Sequence, residues 1–406
     1  MADVAWAPAL PAGWSAAKLR WVSRIYAGGT PDRENLDFWA SGNVPWLNSG
    51  AVNDSQITHP SEYISDLGLK HSSARWVPAS SIVIALAGQG KTKGTPARLE
   101  IASTINQSMA AIVPHSRLDY RYLYFWLASN YQSIRNLAGG DKRDGLNLEH
   151  VSSIEIPLPP LREQQAIAGF LDRETTKLDV LIAKQEQLIT TLGERRIEVL
   201  RKLLTTGNAD VTDIESSGLL WAPLINKRWN LAPLKWSATI SSGSNPDSIG
   251  EQSEQNRIEV IGGNGVLGFT SSPNAEAGMI AIGRVGALCG NIHLLDKPTW
   301  ISDNALRLAP SHKYDPRYLA ALLQARGLNE LANRTAQPLL VGSLVMNERL
   351  PIPPLQSQKE IMTRHEVVRS AIHELVSKTK EMILLLSERR QSLVTAAVTG
   401  KLEVSH

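Results

Sequence analysis

Residues 157–167 read Pro157-Leu-Pro-Pro-Leu-Arg-Glu-Gln-Gln-Ala-Ile167, and residues 351–361 read Pro351-Ile-Pro-Pro-Leu-Gln-Ser-Gln-Lys-Glu-Ile361. Each stretch opens a long segment that has no further proline and ends near Thr-Gly, at 206–207 and at 399–400. Proline suits the first turn of a helix, and glycine suits its end. The two stretches therefore predict two long helices, each a rod of roughly 65 Å.

These two stretches belong to an internal repeat that covers most of the 406 residues. Four blocks recur in the same order, and the offset between the copies falls from 215 residues at the first block to 194 at the last. Four ordered matches indicate duplication of a whole module rather than chance similarity. The matched blocks are 14–21 with 229–236, 82–94 with 279–290, 119–123 with 315–319, and 157–167 with 351–361.

Tryptophan is abundant, with eleven residues in the chain. Trp21 and Trp236 occupy matched positions of the repeat. Large apolar side chains are mostly buried in folded proteins. We therefore predict that this pair packs in the two domain cores rather than stacking on nucleic-acid bases.

Both predicted helices carry apolar side chains at alternating steps of three and four residues, which is the spacing of a coiled coil. An apolar stripe on a helix must be covered by a partner. Two such helices in one chain can cover each other, and the module between them favours antiparallel packing. The predicted packing residues are Ile167, Leu171, Leu178, Leu181, Leu188, Leu192, Val199, Ile361, Val368, Ile372, Leu375, Met382, Leu386 and Leu393.

The remaining segments contain short apolar runs separated by Gly, Pro, Asn and Ser, which is typical of strands joined by loops. A short helix is predicted near 119–138 and again near 315–333. The predicted fold class is α/β mixed (α+β): two similar globular domains joined by two long antiparallel coiled-coil helices, with a pseudo-two-fold internal repeat. The predicted boundaries are 1–156 and 208–350 for the domains, and 157–207 and 351–406 for the helical segments.

The composition is that of a soluble globular protein, with 43% hydrophobic and 20% charged residues. The net charge of +3 does not by itself indicate a nucleic-acid binder, so a basic surface requires folding to gather scattered Lys and Arg. A single cysteine, Cys289, excludes an internal disulfide. The chain starts without a signal-peptide pattern and has no long apolar run. We expect a cytoplasmic protein without a membrane segment.

No motif in the sequence supports catalysis. Gly263-Asn-Gly265-Val-Leu-Gly268 fits a dinucleotide-binding pattern, but a loop follows where that site needs a helix to begin. Gly90-Lys91-Thr92 resembles the end of a phosphate-binding loop, but Ala85 stands where the leading glycine is required. There is no His or Cys cluster with metal-ligand spacing, no nucleophile elbow, and no methyltransferase, helicase or nuclease signature. We expect no catalytic, cofactor-binding or metal-binding residues in this chain.

The alternative to catalysis is binding. Loops rich in Gly, Asn, Lys and Arg let the backbone approach a polyanion, where Arg can pair with guanine, Asn can pair with adenine, and Lys can contact phosphate. In the first copy such residues follow the glycine-rich loop, and in the second copy they lie in the comparable loop, with Asn264 upstream. Solvated surface charge is the alternative interpretation for each of them. The candidate DNA-binding residues are Lys91, Lys93, Arg98, Asn264, Arg284, Asn291 and His293.

The sequence from Ile156 to Ile167, followed by a helix containing Leu192-Gly-Glu-Arg-Arg196, resembles the central conserved region of Type I restriction–modification specificity subunits. Ser387-Glu-Arg-Arg390, continuing to Leu402, is similar to their distal conserved region. Gly283-Arg-Val-Gly-Ala-Leu-Cys-Gly290 and Ser302-Asp-Asn-Ala305 also look like features of that family. The resemblance covers nearly the whole chain.

The resemblance implies a non-catalytic subunit whose globular parts are target recognition domains. Each would read one half of a split sequence in double-stranded DNA, and the helices would set the spacer between the halves. Two methyltransferase subunits would dock on the helices and flanking surfaces, and two ATP-dependent restriction subunits would complete the complex. S-adenosylmethionine, ATP and Mg would then be bound by the partner subunits. The alternative is a coiled-coil scaffold whose globular domains bind protein.

Overall fold

The computed structural model describes residues 6, 10–88, 92–137, 145–253, 257–286, 288–333 and 338–404. The chain divides into two compact units. Unit 1 comprises Met1–Gln185 and Met382–His406, and unit 2 comprises Glu186–Glu381. Each unit therefore contains one globular domain together with the beginning of one long helix and the end of the other.

The globular part of unit 1 mixes short strands with short helices, and it leads into the first long helix. Its elements are β1 (Ser15–Lys18), α1 (Leu19–Val22), β2 (Ser23–Ala27), β3 (Val44–Leu47), β4 (Gln56–Ile57), β5 (Glu62–Ile64), α2 (Asp66–Lys70), β6 (Trp76–Val77), β7 (Ser81–Ala85), β8 (Pro96–Leu99), β9 (Ser103–Ile105), β10 (Met109–Pro114), α3 (Tyr120–Ser129), α4 (Tyr131–Asn136), α5 (Leu148–Ser153), β11 (Glu155–Leu158) and α6 (Leu161–Thr206).

The globular part of unit 2 repeats this order with fewer elements, and it leads into the second long helix. Its elements are β12 (Ile214–Ser216), β13 (Leu224–Asn226), β14 (Asn230–Pro233), β15 (Ala238–Ser242), β16 (Ile258–Gly262), β17 (Gly265–Thr270), β18 (Ile280–Gly283), β19 (Ile292–Leu294), β20 (Trp300–Ile301), β21 (Ala305–Pro310), α7 (Pro316–Arg326), α8 (Gly342–Asn347), β22 (Arg349–Ile352) and α9 (Leu355–Val398).

The sheet order confirms the duplication. In unit 1 the main sheet has the order β2-β10-β7-β8-β4, and a second sheet has the order β5-β3-β9-β6. In unit 2 the corresponding sheets are β15-β21-β18-β19 and β17-β16-β20. Each second sheet contains one parallel pair, β3 with β9 and β16 with β20. The two globular domains are thus the same mixed α/β architecture, as predicted from the sequence.

The central strand of each main sheet is apolar along its length because both of its faces are buried. In β7, Ile82 and Ile84 face the cluster that contains α3 and the long helices, while Val83 and Ala85 face the cluster against the second sheet. In β18, Ile280 and Ile282 face the helices in the same way. The apolar runs predicted to be strands are therefore the strands at the centre of each core.

A buried glutamine joins each domain to its long helix. Gln164 accepts a hydrogen bond from the Asp119 backbone N–H at 2.9 Å and donates to the Pro159 carbonyl at 2.8 Å. Gln358 makes the matching bonds to Asp315 N–H at 2.7 Å and to the Pro353 carbonyl at 2.8 Å. Both glutamines are fully buried. The Pro-Pro-Leu-x-x-Gln pattern therefore fixes the angle at which each helix leaves its domain.

Within each unit the two helical segments run antiparallel. In unit 1, Ile167 near the start of α6 shares a core cluster with Val398 at the end of α9, and Asp179 further along α6 pairs with Arg390 at 2.7 Å. In unit 2, Leu204 at the end of α6 shares a cluster with Ile361 at the start of α9. The prediction of two long helices with antiparallel neighbours is confirmed.

The predicted packing stripe is only partly correct. Five of its residues lie exposed, at 39–48% of their full surface: Leu181, Leu188, Val199, Leu375 and Met382. Four are buried, namely Ile167, Leu171, Leu178 and Ile361, and the half-buried ones are Leu192, Val368, Ile372, Leu386 and Leu393. A straight helix repeats every 3.6 residues, so steps averaging 3.5 drift around its surface. The less exposed positions accordingly shift by one, to Ile182, Ile189, Val376 and Ile383.

The prediction for the matched tryptophans is wrong. Trp21 and Trp236 are each 64% exposed, so neither fills a core. The cores are filled instead by the leucines two residues earlier, Leu19 and Leu234, which are fully buried. Each pair lies in a single helical turn, Leu19–Val22 or Leu234–Trp236, in which residues two positions apart point to different sides. The leucine therefore faces the core and the tryptophan faces outward, a difference that the sequence pattern does not show.

Candidate nucleic-acid interface

In unit 2 a tight hairpin turn presents Asn264 to solvent. Gly262 pairs with Gly265 across β16 and β17, which leaves Gly263 and Asn264 as a two-residue turn. The residue that follows the turn, Gly265, has φ of +105°, a conformation that glycine adopts without steric cost. The glycines predicted not to bind a dinucleotide therefore serve to turn the chain, and Asn264 lies exposed at the tip.

The glycine-rich loop after β18 lies against this turn. A Cβ atom on Gly283 would approach the Gly263 carbonyl oxygen to 2.9 Å, so the close contact requires glycine. The Arg284 N–H donates to the Asn304 carbonyl at 2.9 Å, which ties the loop to the segment after β20. Three segments therefore meet at one end of the domain and form a loop cluster. This loop cluster brings together Asn264, Arg284 and Asn304.

Arg284 and Asn304 have the chemistry to contact bases or phosphates. The Arg284 guanidinium is half-buried, its hydrogen bond is to the Ser242 hydroxyl at 3.4 Å, and it has no ion-pair partner among the described residues. Asn304 is exposed beside it. An arginine without a carboxylate partner can offer its paired N–H groups to guanine or phosphate, and an asparagine can pair with adenine.

The two other candidates of unit 2 lie near the loop but differ in environment. Asn291 is half-buried, and its carbonyl accepts from the Gly283 N–H at 2.8 Å. His293 was predicted to lie in the loop, but it lies within strand β19, opposite Ala281. Its Nε2 atom is buried and has no hydrogen-bond partner among the described residues. Asn291 therefore belongs to the loop cluster, whereas His293 belongs to the sheet.

In unit 1 the corresponding segments meet in the same way. The Asn106 N–H after β9 donates to the Leu47 carbonyl at the end of β3 at 2.9 Å, and the Ser302 N–H donates to the Ile261 carbonyl at 2.9 Å in unit 2. A Cβ atom on Gly28 would lie 1.8 Å from the Ile105 carbonyl oxygen, so this crossing needs glycine. The ends of β2, β3 and β9 therefore meet at one edge of the first domain, as the ends of β15, β16 and β20 do in the second.

Of the candidates of unit 1, Lys91 lies outside the described residues, and the other two are buried. Lys93 is 5% exposed and Arg98 is 6% exposed. Arg98 lies in β8, where Nη1 contacts Asp172 Oδ1 at 2.6 Å and the guanidinium carbon lies 5.1 Å from the Tyr124 ring centre. The Arg98 charge is therefore paired between the domain and α6, and the burial of Lys93 and Arg98 contradicts their prediction as DNA-contacting residues.

Sequence reasoning missed other polar residues of these loop clusters. Gln107 is exposed and accepts a hydrogen bond from the Thr30 hydroxyl, and Asn48 follows β3 directly. Asn304, which is exposed after β20, is a third such residue. The available signal was that each of these residues follows the end of a short apolar strand, at the edge where the glycine-rich loops begin.

The described residues give no support to a metal site or a reactive cysteine. No group of three or more His, Cys, Asp or Glu in the described ranges is placed to hold a metal ion. Burial raises the pKa of the Cys289 thiol, which is the opposite of what activates a nucleophilic cysteine. Within the same ranges, no helix combines the length and apolar character needed to cross a bilayer.

A family model described as the Type I restriction modification DNA specificity domain matches residues 11–190 and 237–383. The chain belongs to this family. The two matched segments fall in the two copies of the repeat, so the specificity domain occurs twice in this member. This membership does not favour the alternative of a coiled-coil scaffold.

The relatives to which this chain is similar in sequence include specificity subunits of type I restriction enzymes. The specificity subunit of the type I restriction enzyme EcoprrI from Escherichia coli is 21% identical over 374 residues, which cover 88% of this chain and 89% of that one. The EcoR124I/EcoR124II specificity subunit from Escherichia coli is 28% identical over 186 residues. That second match spans about half the length of both chains, 45% of this one and 46% of the relative.

Solved structures with the same fold are also available. The HsdS subunit from Thermoanaerobacter tengcongensis matches with a TM-score of 0.58 and 17% identity, over 97% of this chain and 98% of that one. A chain from a structural study of complex assembly and conformational transition in the type I R-M system matches with a TM-score of 0.79 and 17% identity. It covers 97% of this specificity-family chain and 100% of its own length. At this identity the likeness establishes the fold.

Proposed function

We propose that this chain is the DNA-specificity subunit of a Type I restriction–modification enzyme and carries out no bond chemistry itself. Residues 1–156 and 208–350 form two target recognition domains, and each reads one half of a split sequence in double-stranded DNA. The helical segments 157–207 and 351–406 set the spacer between the halves. The observation that carries this proposal is the same cluster of glycine-bounded polar loops at one end of both domains.

The chemistry resides in partner subunits that dock on this chain. Two methyltransferase subunits use S-adenosylmethionine to methylate adenine, and two restriction subunits hydrolyse ATP with Mg. Membership in the specificity family and the relatives named as subunits of restriction enzymes support this assignment. In unit 2 the residues that read bases are Asn264, Arg284 and Asn304, because they are polar and converge at one edge. Asn291 supports the backbone of the loop.

The test is to co-express the chain with its methyltransferase subunit and to map methylated adenines across a genome. We expect a split motif with a fixed spacer, whereas a continuous motif would contradict the proposal. Arg284→Ala should relax the sequence of one half and leave the other unchanged, with a loss of roughly 1–3 kcal/mol of base discrimination. Arg228→Ala is the matched control, since this exposed arginine of unit 2 pairs with Asp213 away from the loops.

A further inference from the structure

The strongest surface feature outside the loop clusters is a pair of exposed tryptophans at one position of the repeat. Residues 14–21 and 229–236 share four identical positions. Three of these are explained by packing, because Ala17, Leu19 and their counterparts are buried and the first tryptophan of each copy is half-buried. The fourth position, Trp21 and Trp236, is 64% exposed in both copies. Packing within the chain does not account for it.

Both indoles are carried on backbone that is held in place. Arg20 beside Trp21 pairs with Glu149 of α5 at 3.2 Å, and Lys235 beside Trp236 donates to Asn347 of α8 at 3.0 Å. The fully buried leucines of the same turns fix the other side. A large side chain on fixed backbone loses little conformational entropy when it enters a pocket, which favours a role as a binding anchor.

The tryptophans lie at the end of the domain opposite the candidate DNA interface. Trp21 precedes β2, whose other end joins Gly28 of the loop cluster, and Trp236 precedes β15, whose other end joins Gly243. A strand of five residues separates the two ends by roughly 17 Å. The same turns adjoin β1 and β14, which pair with β11 and β22, the strands that lead into the long helices. The ligand of this surface is therefore a protein beside the helices rather than the bases under the loops.

A lysine lies beside each indole. Lys18 Nζ is 6.0 Å from the centre of the Trp21 ring, and Lys313 Nζ donates to the Trp236 carbonyl at 3.4 Å. Exposed tryptophan is enriched at protein interfaces and often provides much of the binding energy. A partner that receives it needs an apolar pocket with acidic groups at the rim.

We propose that Trp21 and Trp236 are equivalent anchors for two copies of one protein, the methyltransferase subunit, each inserting into an apolar pocket with an acidic rim. This inference rests on the proposed function, because that function supplies a partner present in two copies. The duplication itself argues for the two copies, since one side chain kept at one position of both repeats fits one complementary surface.

The experiment titrates the full-length chain with its purified methyltransferase subunit and measures affinity and stoichiometry by calorimetry and native mass spectrometry. We expect two methyltransferase subunits per wild-type chain. Trp21→Ala and Trp236→Ala should each weaken one of the two sites about 100-fold, and the double variant should weaken both. Trp76→Ala is the matched control, because Trp76 is 47% exposed but has no counterpart in the repeat, and it should bind as wild type.

The outcomes separate the two proposals. Unchanged binding by the double variant, with a split methylation motif still produced by the wild-type complex, overturns the anchor role and leaves the proposed function standing. A wild-type chain that binds no methyltransferase overturns both. Urea denaturation of each variant checks the fold, and a midpoint equal to that of the wild type assigns any loss of binding to the removed indole.

Discussion

The Tyr122 hydroxyl donates a hydrogen bond to the carbonyl of Val398 at 3.3 Å, although the two residues are 276 positions apart. Tyr318, at the matched position of the second copy, donates to the Leu204 carbonyl at 2.6 Å. The last carbonyls of a helix have no partner within the helix. The first domain therefore binds the end of α9, and the second domain binds the end of α6. These hydrogen bonds join the two chain segments that make up each unit.

Replacing either tyrosine by phenylalanine should destabilise its unit. Burial raises the pKa of Tyr318 well above its ordinary value, so the hydroxyl remains a donor over the whole working range of pH. Tyr318→Phe leaves the buried Leu204 carbonyl unpaired and should lower the free energy of unfolding by about 1–2 kcal/mol, measured by urea denaturation. Tyr63→Phe, at an exposed tyrosine, should have no effect. An equal response of the two variants would contradict the assignment.

The buried glutamine at the head of α9 should be more important than its exposed neighbour. Gln358→Leu leaves the Asp315 N–H and two carbonyls without partners, and we expect a loss of about 3 kcal/mol. Gln356→Leu changes an exposed residue two positions earlier, and its effect should stay within about 0.5 kcal/mol. Thermal and urea unfolding of the pair measure this difference. Similar stabilities of the two variants would show that the buried hydrogen bonds of Gln358 contribute nothing to the free energy of unfolding.

Two aspartates of α6 allow a comparison of a buried with an exposed ion pair. Asp172→Ala removes the 2.6 Å partner of the buried Arg98 guanidinium and leaves it only Glu100, at 3.9 Å, so it should cost about 2–3 kcal/mol. Asp179→Ala removes the exposed pair with Arg390 and should cost less than about 1 kcal/mol. Added salt should reduce only the smaller loss, that of Asp179→Ala, because salt screens exposed charges. A buried pair as salt-sensitive as the exposed one would argue that Arg98 is solvated.

His365 should make the stability of unit 2 depend on pH. It stands where the first helix has Leu171, and burial together with Arg369 lowers its pKa from the ordinary value of 6.5. The unfolded chain then binds a proton more readily than the folded one, so stability falls as pH decreases below about 6.5. His365→Leu should flatten this dependence and add about 1 kcal/mol at neutral pH.

The control for this prediction is His373→Leu, which removes an exposed histidine eight residues later on the same helix. Urea denaturation at several values between about pH 5 and pH 7.5 measures the slope for each variant. The slope of stability against pH should become smaller in the His365→Leu variant and stay as in the wild type in the His373→Leu variant. If the slope persists in both variants, another group is responsible for it.

Sequence reasoning predicted much of the fold because the signals were local. The prolines at 159–160 and the glycine at 207 bound α6, which runs from Leu161 to Thr206. The apolar runs at 82–86 and 279–282 predicted the central strands of both domains. The repeat predicted two domains of one kind, since duplicated sequence folds into duplicated structure.

The predictions that failed concerned the direction of side chains. Arg98 follows a glycine-rich loop and was assigned to DNA, but the strand beneath it points the guanidinium at Asp172. Leu181 fits a heptad, but a helix of 3.6 residues per turn carries it to the exposed side. In the same way Asn304 was missed, because only the folded chain brings it beside Arg284.

By itself, the sequence determined where helices and strands begin and end, that the module is present twice, and which chemistries lack their motifs. These properties depend on neighbours along the chain, through turn geometry, helix capping and the period of apolar residues. Tertiary structure alone decided that both matched tryptophans face outward, that Arg98 is paired with a carboxylate, and which loops meet at one edge. These depend on residues distant in sequence, whose positions are fixed only when the sheets and helices pack.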